Sequence, residues 1–296
     1  MKKSIIGLFA ALMLVSMTGC KNGVSGGESS NPYKKNGTQE INGKSYDIVT
    51  FGSFPQSEKT DDTITVNESE AKTAGSYTYY KGSDNEWYAK LGSKYFKVEP
   101  IKWRILTTDY NGTKKKLLLA ENILINKVYH ASFNNYENSY IRAYLTGDFY
   151  NTAFTTEEQN AIATTTVIND ARSTNPDSNA TQFKGGANQY ASDNATSDKI
   201  FLLSEQEVTK DDYGFATYDA YGTESTRIRK VTACARESGT LVSTDSVYED
   251  VGYWWLRSPT YLNSGGARLV YGDGYADYSR RVDSDDVGVV PALCLN

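Results

Sequence analysis

Few residues in this 296-residue chain have the type needed for acid-base, thiol or metal chemistry. There is one histidine, His130, and there are three cysteines, Cys20, Cys234 and Cys294. A lone imidazole works as a general base only when a carboxylate or a nucleophile is fixed beside it, and the residues that follow His130 (Asn134, Asn135, Tyr136) supply neither. Four soft ligands in all, widely scattered, are too few for a zinc cluster. Cys234 sits in an apolar pattern and Cys294 in the terminal VVPALCL, so each reads as a small buried hydrophobe, with a pairing between the two left open. Asp273, Asp277, Asp283, Asp285 and Asp286 offer oxygen ligands to calcium, but they lack the spacing and turn glycine of an EF-hand loop, and solvated acids are the simpler reading. No catalytic residue, metal site or cofactor is therefore expected, and the chain is not expected to be an enzyme. Its 31 basic and 36 acidic residues leave a net charge of −5, which gives no global attraction to nucleic acid.

What remains is the chemistry of contact, and it is concentrated at one end. Among the 27 residues Thr260 to Asp286, Tyr, Asp, Ser, Gly, Arg and Asn account for 20, a palette suited to adaptable recognition loops. Lys, Glu, Gln, Met and Trp number 50 in the whole chain, yet none occurs in the 41 residues from Leu256 to Asn296. At the frequency of the preceding residues about eight would be expected there. These five types share one property: none is encoded by a codon ending in C. Random replacement of the adenines in AAC codons yields residues such as Tyr, Asp, Ser, Gly and Arg and never those five. The segment has the composition such a process would leave, although an ordinary Gly-rich strand-and-loop end is the plainer alternative.

The elements that would position this segment can be read along the chain. Lys2 and Lys3 precede the apolar run IIGLFAALMLV, too short to span a membrane but of signal-peptide length. SMTGC then places small residues before Cys20 and resembles a bacterial lipobox, with Met17 where Leu is usual. Residues 1–19 are expected to be a lipoprotein signal, Cys20 the lipidation site, and 20–40, rich in Gly, Ser and Asn, a flexible tether. Removal of the signal takes away two lysines and no acid, so the net charge goes from −5 to −7. The globular part is expected as one domain, 41–296, starting near Ile41. Tyr46 to Phe54, YTYYKG and KYFKVEPIKWRILTT read as strands, and Asn111-Gly112 marks a hairpin turn before Lys116 to Ile125. Ile141, Tyr144, Leu145 and Phe149 recur at helical spacing, and TTEE at Thr155 to Glu158 is a capping box. Arg172 to Ser197 holds almost nothing to bury and reads as a long loop. DKIFLLS reads as a buried strand, and Thr226 to Glu237 as a helix with Ile228, Val231, Cys234 and Ala235 on one face.

WWLRSP (254–259), the Gly/Asp/Tyr-rich stretch behind it and the terminal GVVPALCLN resemble the formylglycine-generating-enzyme-like branch of C-type lectin folds. More narrowly they resemble the variable proteins of diversity-generating retroelements, in particular the treponemal variable lipoproteins. FGSFPQ, IKWRIL, YIRAYL and DKIFLLS extend the resemblance over most of the chain after about residue 45. Many relatives end in VRPAL; this chain has Val290 where that Arg stands, so no role for it carries over. The resemblance implies an α+β, C-type lectin-like fold of mixed antiparallel sheets with a few short helices. It implies a surface-anchored lipoprotein on the outer membrane that binds ligand through a hypervariable segment, about 256–296, diversified by adenine-directed mutagenesis. The framework would be Trp254, Trp255, Leu256, Pro259, Val287, Val289, Pro291 and Leu293. Solvent-facing contacts would come from Tyr261, Asn263, Ser264, Arg268, Tyr271, Asp273, Tyr275, Asp277, Tyr278, Ser279, Arg281, Asp283, Ser284 and Asp285. The partner would be a protein or cell-surface molecule, met by a monomer. Two alternatives stay open: a structural envelope lipoprotein without a specific ligand, and a formylglycine-generating-type enzyme. The enzyme would need two neighbouring active-site cysteines, whereas Cys234 and Cys294 are sixty residues apart.

Overall fold

The computed structural model describes residues 31–170, 174, 194–217, 225–244, 248–260, 264–276 and 278–296. The signal segment and Cys20 lie outside the described residues. β1 (Lys34–Ile41) and β2 (Lys44–Glu58) form an antiparallel hairpin whose turn residues Asn42 and Gly43 have φ of 50° and 75°. Seven of the eight β1 side chains are exposed, which is why composition assigns them to a tether, but the backbone pairs with β2 from Lys34 onward. The fold thus begins at Lys34 rather than near Ile41, held by main-chain hydrogen bonds that a hydropathy pattern does not register.

β3 (Val66–Ala74), β4 (Tyr77–Gly82), β5 (Trp87–Leu91) and β6 (Lys94–Thr107) continue as an antiparallel meander, ending at the solvated edge strand β3 with its Glu68, Glu70 and Lys72. β7 (Lys116–Ala120) returns along β6 after a loop in which Asn111 and Gly112 both have positive φ, as the Asn-Gly signal predicts. The 14-residue β6 organises this sheet: β2 runs along one edge, β5 and then β7 along the other. β8 (Asn122–Ile123) and β9 (Ile125–Asn126) follow.

The helical section matches its sequence signals. α1 (Tyr140–Tyr144) starts where the Ser139 hydroxyl accepts from the Arg142 N–H, passes through a π turn at Leu145–Phe149 and continues as α2 (Tyr150–Ala153), burying Ile141, Leu145 and Phe149. α3 (Thr156–Ala161) opens on the Thr155/Glu158 capping box, and Glu158 also accepts from the Gly52 N–H at 2.9 Å, tying the helix to β2. β10 (Thr165–Val167) and β11 (Thr196–Asp198) pair with each other, and β12 (Ile200–Phe201) joins the large sheet. Most of the long loop between β10 and β11 lies outside the described residues.

The expected helix from Thr226 to Glu237 is helical only at its end, in α4 (Ala233–Glu237). Ahead of it β13 (Lys230–Val231) pairs in parallel with β8, and Thr232 then caps α4 by accepting from the Ala235 N–H. Spacings of three between apolar residues fit a helix, but a sheet partner at Asn122 and Ile123 captured Lys230 and Val231. β14 (Trp254–Pro259), β15 (Gly266–Val270), β16 (Tyr278–Arg281), β17 (Gly288–Val289) and β18 (Ala292–Leu295) complete the chain.

Two sheets dominate. The nine-stranded one runs β12-β18-β7-β6-β5-β4-β3, with β2 on β6 and β1 on β2; the five-stranded one runs β16-β15-β14-β17-β9. The C-terminal residues stitch them together, because β17 belongs to the smaller sheet while β18, buried along its whole length, lies between β12 and β7 of the larger. Pairing is antiparallel except for β14 with β17 and β13 with β8. The protein is thus of mixed α+β class. Trp103, Trp254 and Trp255 are all fully buried in its core. Among the described residues no helix is long and apolar enough to cross a membrane.

Candidate functional site

The candidate surface is the rim of the five-stranded sheet, and its frame is fixed before any rim residue is placed. All eight framework positions are buried: Trp254, Trp255, Leu256, Pro259, Val287, Val289, Pro291 and Leu293. The indole N–H groups, which would be costly to bury unpaired, donate to the Arg227 carbonyl at 3.2 Å from Trp254 and to the Lys127 carbonyl at 3.0 Å from Trp255. Beside Trp254 the neighbouring strand has Gly288, where a Cβ would stand 2.2 Å from Ile123 Cγ2; only glycine lets the strands approach this closely.

Three buried arginines lock this sheet to its surroundings. Arg257, from WWLRSP, donates to the carbonyls of Leu202 (2.7 Å) and Ile168 (3.0 Å) and pairs with Glu207, both side chains being almost wholly buried. Glu207 also accepts from the Tyr110 hydroxyl at 2.6 Å and the Ser204 N–H at 2.8 Å. Burial alone would raise the Glu207 carboxyl, but the Arg257 charge and these donors together hold it below the ordinary carboxylate value. Arg227 donates to the carbonyls of Gly274 (2.7 Å), Ala216 (3.1 Å) and Val208 (3.3 Å), so it pins the β15–β16 turn from beneath. That turn is closed by the Tyr271 N–H to the Tyr275 carbonyl (2.8 Å) and by the Asp273 carboxylate accepting from the Tyr275 N–H (3.0 Å), with Gly274 at φ 86°. Arg268 is the third, 3.5 Å from the Glu205 carboxylate.

Arg268 was expected to face solvent and does not: it is 5% exposed. β15 has β14 on one side and β16 on the other, and all five of its residues are buried, so a charge there must find a partner inside. The remaining described contact candidates lie on the rim. Arg281, Asp283 and Asp285 are exposed, and Ser264, Tyr271, Asp273, Tyr275, Ser279 and Ser284 are half-buried. Tyr261, Asn263, Asp277 and the side chain of Tyr278 lie outside the described residues. Tyr271 stacks on Tyr253 with ring centroids 4.1 Å apart, and the Arg280 guanidinium approaches the Tyr253 ring at 5.8 Å. Asp283 is paired bidentately with Arg281 (2.6 and 2.9 Å), and Asp286 is paired with Arg280. The Arg281 hydrogen bond holds the Asp283 carboxyl below its usual range. Two of the acids weighed as calcium ligands are thus paired with arginines. Among the described residues no group of three or more His, Cys, Asp and Glu is placed to hold a metal.

Sequence reasoning missed one part of this rim. Phe133 and Tyr140 are 57% and 55% exposed, large apolar side chains left in water on either side of His130. The His130 ring lies 4.4 Å from Tyr140 and 5.7 Å from Phe133, centroid to centroid, and its Nδ1 accepts from the Ser132 and Phe133 N–H groups. The loop that carries them is bonded to the C-terminal segment through the His130 N–H to the Val282 carbonyl (3.0 Å) and the Asn134 N–H to the Ser264 carbonyl (2.8 Å). His130 is therefore a stacking element beside the rim. An aromatic-rich local sequence was the available signal, but exposure cannot be read from it. Cys234 and Cys294 are separate free thiols, both buried, and burial pushes each up to about 12, so neither is a ready thiolate.

The fold and the rim define a mixed α+β protein whose C-terminal segment supplies four of the five strands of a braced sheet edged with polar and aromatic groups. The chain belongs to the family described as a domain of unknown function (DUF6273), which matches residues 113–296, from just before β7 to the C-terminus. Neither the curated proteins nor the solved structures contain a match to it.

Proposed function

We propose that this protein is an exported lipoprotein, anchored through Cys20 to the outer membrane at the cell surface, that binds a ligand through its C-terminal rim. In this reading the domain is a monomeric C-type lectin-like fold, and the segment of about 256–296 is diversified by a retroelement through adenine-directed mutagenesis. The ligand is a protein or cell-surface molecule. One observation carries the reading: buried framework positions flank a rim of Tyr, Asp, Ser and Arg, with Arg227 bonded to the β15–β16 turn and Arg257 tying β14 to the core behind it. A surface whose geometry is fixed in advance loses little conformational entropy on binding, and Tyr offers large contact area with few torsions to freeze. The buried, protonated thiols speak against the alternative of thiol-based enzyme chemistry.

Sequencing the locus from many isolates tests this. Substitutions should cluster at Ser264, Tyr271, Asp273, Tyr275, Ser279, Arg281, Asp283, Ser284 and Asp285 and spare the framework, with an adenine-rich non-coding copy of the segment near a reverse transcriptase gene. Scattered substitutions, or a complete genome without the copy and the transcriptase, would overturn diversification and favour the structural envelope lipoprotein. Protease accessibility on intact cells tests the surface location.

A further inference from the structure

Asn134 follows the exposed Phe133 in sequence but is itself fully buried, beside the connection that leads from β14 to β15. Its side-chain amide donates to the Gly266 carbonyl at 2.8 Å and to the Thr260 carbonyl at 3.3 Å, while its N–H donates to the Ser264 carbonyl at 2.8 Å. One residue thus bonds both ends of the connection and a point within it. A side-chain amide carries two N–H groups in one plane and so serves two carbonyls at once; a hydroxyl has a single hydrogen and an ionised carboxylate none. The Thr260 N–H to the Gly266 carbonyl (3.1 Å) and the Val282 N–H to the Gly265 carbonyl (2.9 Å) close the same neck.

The residues that precede Asn134 are tied to the sheet in the same manner. The Lys127 carbonyl accepts from the Trp255 indole at 3.0 Å, and Tyr129, buried and edge-on to Trp255, donates through its hydroxyl to the Arg257 carbonyl at 3.2 Å. The His130 N–H then reaches the Val282 carbonyl at 3.0 Å. Where these bonds meet the stretch from Thr260 to Val282, each ends on a main-chain carbonyl: that of Thr260, Ser264, Gly266 or Val282. Such an acceptor is present whatever side chain its residue carries. We propose that Asn134 is a positioning residue of the rim, setting the path of the main chain at Thr260, Ser264 and Gly266 independently of the side chains displayed there. Ser264, and Arg281 paired with Gly266 across β15 and β16, are then free to change identity without moving the backbone that presents them. The purpose of this device rests on the rim being a binding surface; its geometry does not.

Hydrogen exchange of the full-length chain, resolved to single amides and expressed as protection factors, tests this. Asn134→Asp keeps the side-chain volume but sets an acceptor against two carbonyls. Protection at Thr260 and Val282 should fall at least tenfold further in this variant than protection in β18, whose amides report the stability of the whole fold. A purely structural role for Asn134 would lower both alike. Ser264→Tyr and Arg281→Ser change rim side chains alone and should alter protection at Thr260 and Val282 by less than twofold; these two variants decide the matter if Asn134→Asp does not fold. A smaller excess in Asn134→Asp, or a larger change in either rim variant, would overturn the proposal. Neither measurement uses a ligand or a second isolate. A protein that binds nothing would still show the Asn134 effect, and a diversified locus would remain one if Asn134 proved dispensable.

Discussion

Two groups of buried arginines invite comparison. Around Arg257 every strong demand is met: the guanidinium has a buried carboxylate and two carbonyls, and Glu207 has a hydroxyl and an amide besides. Arg104 and Arg229, which both line a polar cavity beside the β1–β2 turn, also make numerous hydrogen bonds, but only Arg104 has a carboxylate beside it, Glu121, while Arg229 is held by the carbonyls of Ile228, Thr226 and Ala120, and three of their nitrogens stay without hydrogen-bond partners among the described residues. The arginines of both clusters are buried. The first closes on itself and acts as a brace under the C-terminal sheet, while the second borders a polar cavity. The difference is that Arg257 meets a buried carboxylate directly, whereas Arg229 is held by neutral carbonyls.

Substitutions can break this comparison, and the largest effect should come from the brace. Arg257→Met strands the Glu207 carboxylate in the core and should cost about 3–5 kcal/mol in urea-induced unfolding. Arg227→Met removes three charge-assisted hydrogen bonds and should cost about 2–3 kcal/mol, with faster amide exchange at Tyr271 and Tyr275 as the sign that the rim has lost its support. Because the folded state holds Glu207 below the unfolded carboxyl value of about 4.3, its contribution is present in full above that pH and is lost as pH falls through the lower folded value. Acid unfolding followed by circular dichroism should therefore show a shallower pH dependence in Glu207→Gln than in the native chain. The smallest change should be Arg229→Met, at about 1 kcal/mol or less, because the orphaned carbonyls are offset by removal of a buried charge that neutral carbonyls hold. A loss there as large as that of Arg257→Met would put both clusters in the same structural class.

The same distinction bears on what could be read from the residues alone. The Thr155 cap, the Asn111-Gly112 turn and the burial of WWLRSP and PALCL were legible, because each depends on neighbours within a few positions in sequence. The helix foreseen from Thr226 was overridden at Lys230 and Val231 by a partner more than a hundred residues earlier. Arg268 belongs to the rim by composition and to the interior by position, since only the order of strands places β15 between two others. β1 has the composition of a linker and the hydrogen bonds of a strand.

The sequence by itself determined the caps and turns of the helical section and the first hairpins, the frame of the C-terminal segment and the palette of its rim, because local spacing and side-chain character control them. Only the tertiary structure decided which charges face water. Arg257 meets Glu207 fifty residues away, and Arg104 shares a wall with Arg229 across more than a hundred. Electrostatic balance at a buried site depends on distance in space, and chain order carries no record of that until the strands have paired.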